Sequence, residues 1–337
     1  MSRIMASVSK SICLVRSSVN IDETFQVPHI VRPGETISSS AMWARPGGKG
    51  ANVAAVLGLA GVQVKMLGAV GSDATWPIDC LKERHVDTTD MYVSPDVPTG
   101  RAFIQISSED GENSIVLLKG ANFATNTPLD VPNAWFSRNE QQITHLVLQN
   151  EIPLACTMAF VEHAASLGNV CTVFNPSPML TPDELRAFPW SGIRVLIVNQ
   201  GEAADMYRAL SGRDAGSEPA KALASLPAFA SIQWIVVTRG SQGSCAGVLV
   251  GSERVWADTQ AAKTRTVVNT TGAGDTYTGY LVAGLMSLHE SDSLTSERIK
   301  AIMHRASVAS AMAVEVDGAM ESIPSAKEVD ARIALLG

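Results

Sequence analysis

Asn269 through Thr276 reads Asn-Thr-Thr-Gly-Ala-Gly-Asp-Thr, between the strand-like run Thr264 to Val268 and a long apolar helical pattern. Two glycines ahead of a helix let backbone N–H groups turn toward one point, and the helix N-terminus adds partial positive charge. A transferring phosphoryl group can be held in such a hole. Asp275 stands at the same helix start, where its carboxylate can take a proton from a hydroxyl as that oxygen attacks phosphorus. Taken alone, the segment is equally a tight turn with an aspartate cap.

A second glycine-rich segment, Pro46 through Asn52 (Pro-Gly-Gly-Lys-Gly-Ala-Asn), precedes a small-residue helix over Val53 to Ala60. It is no Walker A loop: Trp43 stands where the first glycine belongs, and Gly50 replaces the Ser or Thr that would hold magnesium. Its glycines permit close approach to a ligand, and Lys49 and Asn52 can donate to hydroxyls. A glycine-rich helix entry with a solvated lysine is the plainer alternative. A third loop, Thr238 through Gly243, follows an apolar strand and can lie against a nucleotide phosphate or ribose.

Apolar, β-branched runs at 12–15, 64–70, 145–148, 170–174, 195–198 and 232–238 alternate with helical patterns, which predicts a mostly parallel sheet covered by helices on both faces. Ligands of such sheets collect at the C-terminal strand ends. The stretches around 23–44 and 91–119 break this rhythm with short alternating segments and Pro-Gly or Asp-Gly-Glu-Asn turns. They are expected as inserted antiparallel strands forming a small sheet that can act as a lid. Helical spacing marks 276–288, 297–314 and 326–336.

With 337 residues the chain suits one large α/β domain with an appendage. A net charge of -7 disfavours a nucleic-acid partner, which needs a basic face. No apolar run approaches the ~20 residues that span a bilayer, and residues 1–10 form no continuous apolar region; no membrane association is expected. The cytoplasm is the expected compartment, with the nucleus also open to the chain. Five scattered cysteines without a Cys-x-x-Cys pair read as reduced thiols, and the six histidines form no metal-ligand pattern. The glycosylation triplet Asn269-Thr270-Thr271 has no use in that compartment.

The segment Gly-Gly-Lys-Gly-Ala-Asn at 47–52 and Gly-Ala-Gly-Asp-Thr at 272–276 resemble the two signatures of the PfkB or ribokinase family of carbohydrate kinases. The likeness runs over nearly the whole chain, through Val19 to Asp22, Pro33 to Thr36, Asp110 to Asn113, Lys119 to Asn122, Asn175-Pro176, and Asn199 with Glu202. It implies a single kinase domain over 1–337 of α/β class: a ribokinase-like three-layer α/β/α domain with a mostly parallel central sheet plus a small β-sheet lid from 23–45 and 91–120. It further implies a homodimer through that lid and transfer of phosphoryl from ATP to a sugar hydroxymethyl group, with D-ribose giving D-ribose 5-phosphate.

Carried over by motif, Asn20, Asp22, Gly48, Lys49, Asn52 and Glu151 would bind the sugar. Asn199, Thr238, Gly240, Ser241, Gly243, Gly274 and Ser307 would hold ATP, and Glu202 would orient Mg²⁺ through water. Gly272, Ala273 and Gly274 would form the anion hole, and Asp275 would be the base. A monovalent-cation site would involve Asn269, Thr271, Ala313, Val316, Gly318 and Ser322.

Three positions depart from the family pattern. Ser17-Ser18 replaces a Gly-Ser, Gln200 stands where a glutamate is common, and Asn269 replaces an aspartate of the cation site. An amide oxygen brings no charge, so weak or absent K⁺ dependence is expected. Other sugar kinases of the family, for fructose or 2-keto-3-deoxygluconate, remain competitors. A nucleoside kinase would want an aromatic base pocket, and aromatics are 5% of the chain. A non-catalytic sensor on the same fold is the rival of another class, against which Asp275 argues. A dinucleotide-dependent oxidoreductase is excluded, because 15–20 carries no Gly-x-Gly-x-x-Gly.

Overall fold

The structure is a computed structural model and describes residues 11–125, 127–137, 143–288 and 293–336. The serine-rich stretch 1–10 lies outside the described residues. Strands β1 (Ile12–Arg16), β2 (Asn20–Val27), β3 (Ala41–Gly47), β4 (Val64–Leu67), β5 (Ala69–Gly71), β6 (Val86–Asp87), β7 (Tyr92–Ser94), β8 (Gly100–Ser107) and β9 (Asn113–Leu118) come from the first part of the chain. They are followed by β10 (Ile143–Gln149), β11 (Cys171–Asn175), β12 (Val195–Asn199), β13 (Trp234–Thr238), β14 (Ser244–Val250) and β15 (Glu253–Thr259). Interleaved are helices α1 (Lys49–Leu59), α2 (Trp76–Glu83), α3 (Pro132–Phe136), α4 (Leu154–Leu167), α5 (Pro182–Ala187), α6 (Gln200–Ser211), α7 (Pro219–Ala224), α8 (Ala273–Met286), α9 (Ser296–Ala313) and α10 (Ala326–Leu336).

Among the described residues nine strands form the main sheet, in the order β15-β14-β13-β12-β11-β10-β1-β4-β6. The pairs from β6 to β13 are parallel, and β14 and β15 join antiparallel. Side chains alternate strictly between two cores, as the pleat requires. Cys13, Val15, Val147, Val173, Ile197 and Val236 pack under α1, α8 and α9. Leu14, Leu148, Phe174, Leu196 and Val237 pack under α4, α6 and α7. The apolar runs were continuous rather than alternating because both faces of these strands are covered.

The small sheet has the order β3-β2-β8-β9. Here the sequence expectation needs correction. The β2–β3 and β8–β9 pairs are antiparallel, but the central β2–β8 pair is parallel. The sheet also begins at Asn20, earlier than expected, and the start of the second stretch instead gives β7, which pairs with β5 outside it. Turn signals identify hairpins, whereas the pairing of two separate hairpins is set by tertiary contacts.

The run Thr264 to Val268, expected as a strand, is not one. Val267 and Val268 are mostly exposed, and the backbone of the segment bonds to the end of α9 and beyond, Val268 N–H to Val314 O and Arg265 N–H to Glu315. The three expected C-terminal helices are α8, α9 and α10. Among the described residues no helix is long and apolar enough to cross a membrane.

Candidate active site

The parallel strands β1, β10, β11, β12 and β13 end side by side, with Gln149 level with Asn175 and Asn199 level with Thr238. At β1 the chain continues through Ser17-Ser18-Val19 into β2, so the base of the small sheet stands over this edge. Asn20 faces both Gly47 and Gly100 across its neighbours there. The first turns of α1 and α8 meet at the same place. Gly279 makes that approach feasible, because a Cβ there would lie 2.4 Å from Val56. With the helices this close, Asn52 Nδ2 of α1 donates to Asp275 Oδ2 of α8 at 2.9 Å.

Asp275 is 8% exposed, in the first turn of α8. Burial pushes its carboxyl up, opposed by the Lys49 ammonium and the Asn52 hydrogen bond. Those two partners favour the ionised form, which a proton acceptor requires. Gly272 caps α8 with φ 77°, a left-handed conformation, and a Cβ there would sit 3.0 Å from Ala319. Only glycine satisfies both demands.

Toward the small sheet, Glu151 Oε2 accepts from Ser18 Oγ and from the Lys49 N–H at 2.9 Å. Ser18, the serine that keeps the Gly-Ser pattern, fixes Glu151, while Ser17, the position that departs from it, packs against Gly50. Lys49 is half-buried rather than freely solvated. Its ammonium is held above its ordinary range chiefly by Asp275, with Glu151 and Glu202 adding to it. The Asp22 carboxyl is pushed up to about 7, first by burial and then by Glu151, Asp275 and Glu321. Asn20 Oδ1 accepts from Asn122 Nδ2 at 2.7 Å, and Asn122 also bonds both backbone polar groups of Val19. Asn122 belongs to a motif visible in the sequence, yet its structural role, bracing the start of β2, has no local signal.

On the other side of the α8 N-terminus opens a cavity of about 700 Å³. Thr238, Gly240, Ser241, Gly243, Gly274 and Ser307, the residues expected at a nucleotide, all line it, as does Ala273 of the anion hole. Its lining also includes Ala261 to Thr264, Val267, Thr270 and Tyr277, which sequence reasoning missed. Ala261 to Lys263 carry no motif, and Thr264 and Val267, from the run that resembled a strand, line a groove instead. Ser307 Oγ accepts from Ala262 N–H at 3.0 Å and so shapes this wall. Asn199, expected at the nucleotide, does not line the cavity. It forms a capping box on α6, accepting from Glu202 N–H while Glu202 Oε2 accepts from Asn199 N–H, both at 2.8 Å. Gln200 leaves that box intact.

The residues expected at a monovalent cation are committed elsewhere. Asn269 Oδ1 accepts from Thr271 N–H at 2.9 Å, and its Nδ2 donates to Asp317 Oδ1 at 3.0 Å. Ala313 O accepts from Val316 N–H, and Ser322 Oγ donates to Ala319 O. Gly318, with φ 102°, lies beside Arg45 and Glu321. Ala313 O keeps a second lone pair and Ser322 Oγ, a donor here, keeps both of its own, so what the set lacks for K⁺ is the charge that Asn269 does not bring. Among the described residues no group of three or more His, Cys, Asp or Glu is arranged to hold a metal.

A family model, described as pfkB family carbohydrate kinase, matches residues 10–326. The chain is 32% identical over 331 residues to the ribokinase of Schizosaccharomyces pombe, covering 94% of this chain and 96% of that one. It is 30% identical over 322 residues to the ribokinase of Staphylococcus aureus, covering 94% and 98%. The crystal structure of ribokinase from Cryptococcus neoformans in complex with ADP superposes with a TM-score of 0.82 at 41% identity, over 96% of this chain and 100% of that one. The chain belongs to the pfkB family of carbohydrate kinases.

Proposed function

We propose that the protein phosphorylates D-ribose at its 5-hydroxymethyl group with ATP, using Asp275 as general base. The observation that carries this reading is the position of Asp275. It lies in the first turn of α8, bonded to Asn52 and near Lys49, while Ala273, Gly274 and Tyr277 of the same helix line the 700 Å³ cavity. The ribokinase relatives supply the sugar, and the complex of the Cryptococcus protein supplies the nucleotide class.

In this mechanism Asn20, Asp22 and Glu151 take the sugar hydroxyls, with carboxylates suited to vicinal pairs because each accepts two hydrogen bonds. Gly48, the Lys49 ammonium and Asn52 complete that wall. Asp275 receives the proton of the terminal hydroxyl, and the backbone of Gly272, Ala273 and Gly274 stabilises charge on the transferring group. Thr238, Gly240, Ser241, Gly243 and Ser307 line the nucleotide's place. Bound Mg²⁺ would neutralise charge on the nucleotide phosphates. Glu202 can orient it through water with Oε1, which no hydrogen bond occupies. No step is assigned to K⁺.

The small sheet, from 23–45 and 91–120 in outline, serves as a lid of one kinase unit that excludes water from the phosphoryl group. Its edge strand β9 exposes Ile115, Val116, Leu117 and Leu118 by 42–62%, an apolar edge suited to a second copy of the lid. Such an enzyme would work in the cytoplasm. Phosphorus NMR of the product tests the reaction: a single phosphomonoester on C5 of ribose is expected, and transfer to another carbon or only to water would refute it.

A further inference from the structure

Arg45 on β3 stands directly opposite Asp22 on β2 in the small sheet. Opposed residues of an antiparallel pair share a face, and opposite charges there normally attract. Arg45 nevertheless turns away: its Nη2 donates to Asp317 Oδ2 at 2.7 Å, in the loop after α9. The Asp22 carboxylate has no hydrogen bond or ion pair among the described residues, although it is half-buried and within electrostatic reach of Glu151, Asp275 and Glu321. Asp317 in turn accepts from Asn269, whose amide oxygen holds the Thr271 N–H, next to the Gly272 cap.

We propose that Asp317 and Arg45 are positioning residues: Asp317 draws the guanidinium away from Asp22, leaving that carboxylate to the sugar, and the same contact ties the small sheet to the loop before the anion hole. This rests on Asp22 as a sugar-binding group. The Arg45–Asp317 pair is partly exposed, 30% and 55%, so its worth as a surface ion pair is small. Its effect lies in which carboxylate the arginine does not neutralise. An arginine released from Asp317 has Asp22 as its cross-strand neighbour, with Glu321, which already acts on it, as the competing carboxylate; the proposal requires that it take Asp22. The sugar would then have to displace a guanidinium.

Asp317→Asn, Arg45→Met and the double variant test this. Asp317→Asn should raise the KM for ribose about tenfold with the KM for ATP little changed, and Arg45→Met in the same chain should bring the ribose KM back toward the original value. A contact that merely stabilises the fold predicts the opposite, a double variant no better than either single one. A crystal structure of Asp317→Asn provides a readout independent of the sugar: Arg45 should be found on Asp22. An unchanged ribose KM in Asp317→Asn, a double variant as impaired as Asp317→Asn, or Arg45 still away from Asp22 would overturn the proposal. If the original chain turned over another sugar but not ribose, the functional reading would fall while the same comparison on that sugar still decides this one.

Discussion

Two carboxylates, the buried Asp275 and the half-buried Asp22, face the same site from different foundations. Asp275 lies on a helix seated against the main sheet, with Asn52 bonded to one oxygen and the Lys49 ammonium near it. Asp22 lies on a strand of the small sheet and has no such partner; burial first, and then three other carboxylates, raise its carboxyl to about 7. The difference separates two tasks. A group that performs chemistry is held in one geometry before the substrate arrives. A group that recognises substrate keeps its hydrogen-bonding capacity open, at a cost to the empty protein that the sugar's hydroxyls relieve.

The most severe way to break the comparison is to neutralise the supported member. Asp275→Asn should lower kcat by roughly 10²–10⁴, the usual contribution of a positioned general base, while ribose binding measured by calorimetry changes far less. Loss of binding with kcat retained would reverse the two roles.

Neutralising Asp22 should do the converse. Asp22→Asn should raise the ribose KM by about tenfold or more and lower kcat less, as expected when a hydrogen bond to a charged group is weakened. It should also change stability with pH. Because the folded carboxyl sits above its ordinary value, the native protein is favoured while Asp22 is protonated, and it loses stability as pH rises toward and through about 7. The asparagine variant should therefore melt higher than the original protein at pH 8, by roughly 2–4 °C per kcal/mol relieved, with the gap narrower at pH 5 and closing below about pH 4. An equal gap at both pH values would exclude this cause.

How far the sequence revealed this contrast follows from what each region depends on. The central strands were legible because burial on both faces leaves long apolar runs, as at Val195 to Val198. Asp275 was legible because glycine spacing and a helix start fall together. The parallel pairing of β2 with β8 was not, since alternation along a strand does not name its partner. The groove lining at 261–267 was misread for the same reason: β-branched residues mark an extended backbone, and only the end of α9 decides that it pairs with a helix terminus instead of a strand. Asn199 was placed at the nucleotide by motif; its amide oxygen caps α6 and it lies outside the cavity lining.

Smaller effects sharpen the comparison at its margins. Gly272→Ala should lower kcat several-fold and cost about 1 kcal/mol or more in stability, from the left-handed φ and the approach of Ala319. Substituting Leu117 with lysine on the exposed edge of β9 should shift the protein toward monomer in sedimentation while leaving Asp275 chemistry intact. Replacing KCl by NaCl at equal ionic strength should change turnover by less than about twofold, because Asn269 brings no charge to a monovalent cation.

The most direct test of the central claim is ADP release by the purified protein with ATP and Mg²⁺ against ribose, fructose, 2-keto-3-deoxygluconate and nucleosides. The account predicts turnover with the highest kcat/KM on ribose. Turnover greatest on another member, or ligand-induced stabilisation without turnover on any, would contradict it, the latter pointing to a sugar sensor on a kinase fold.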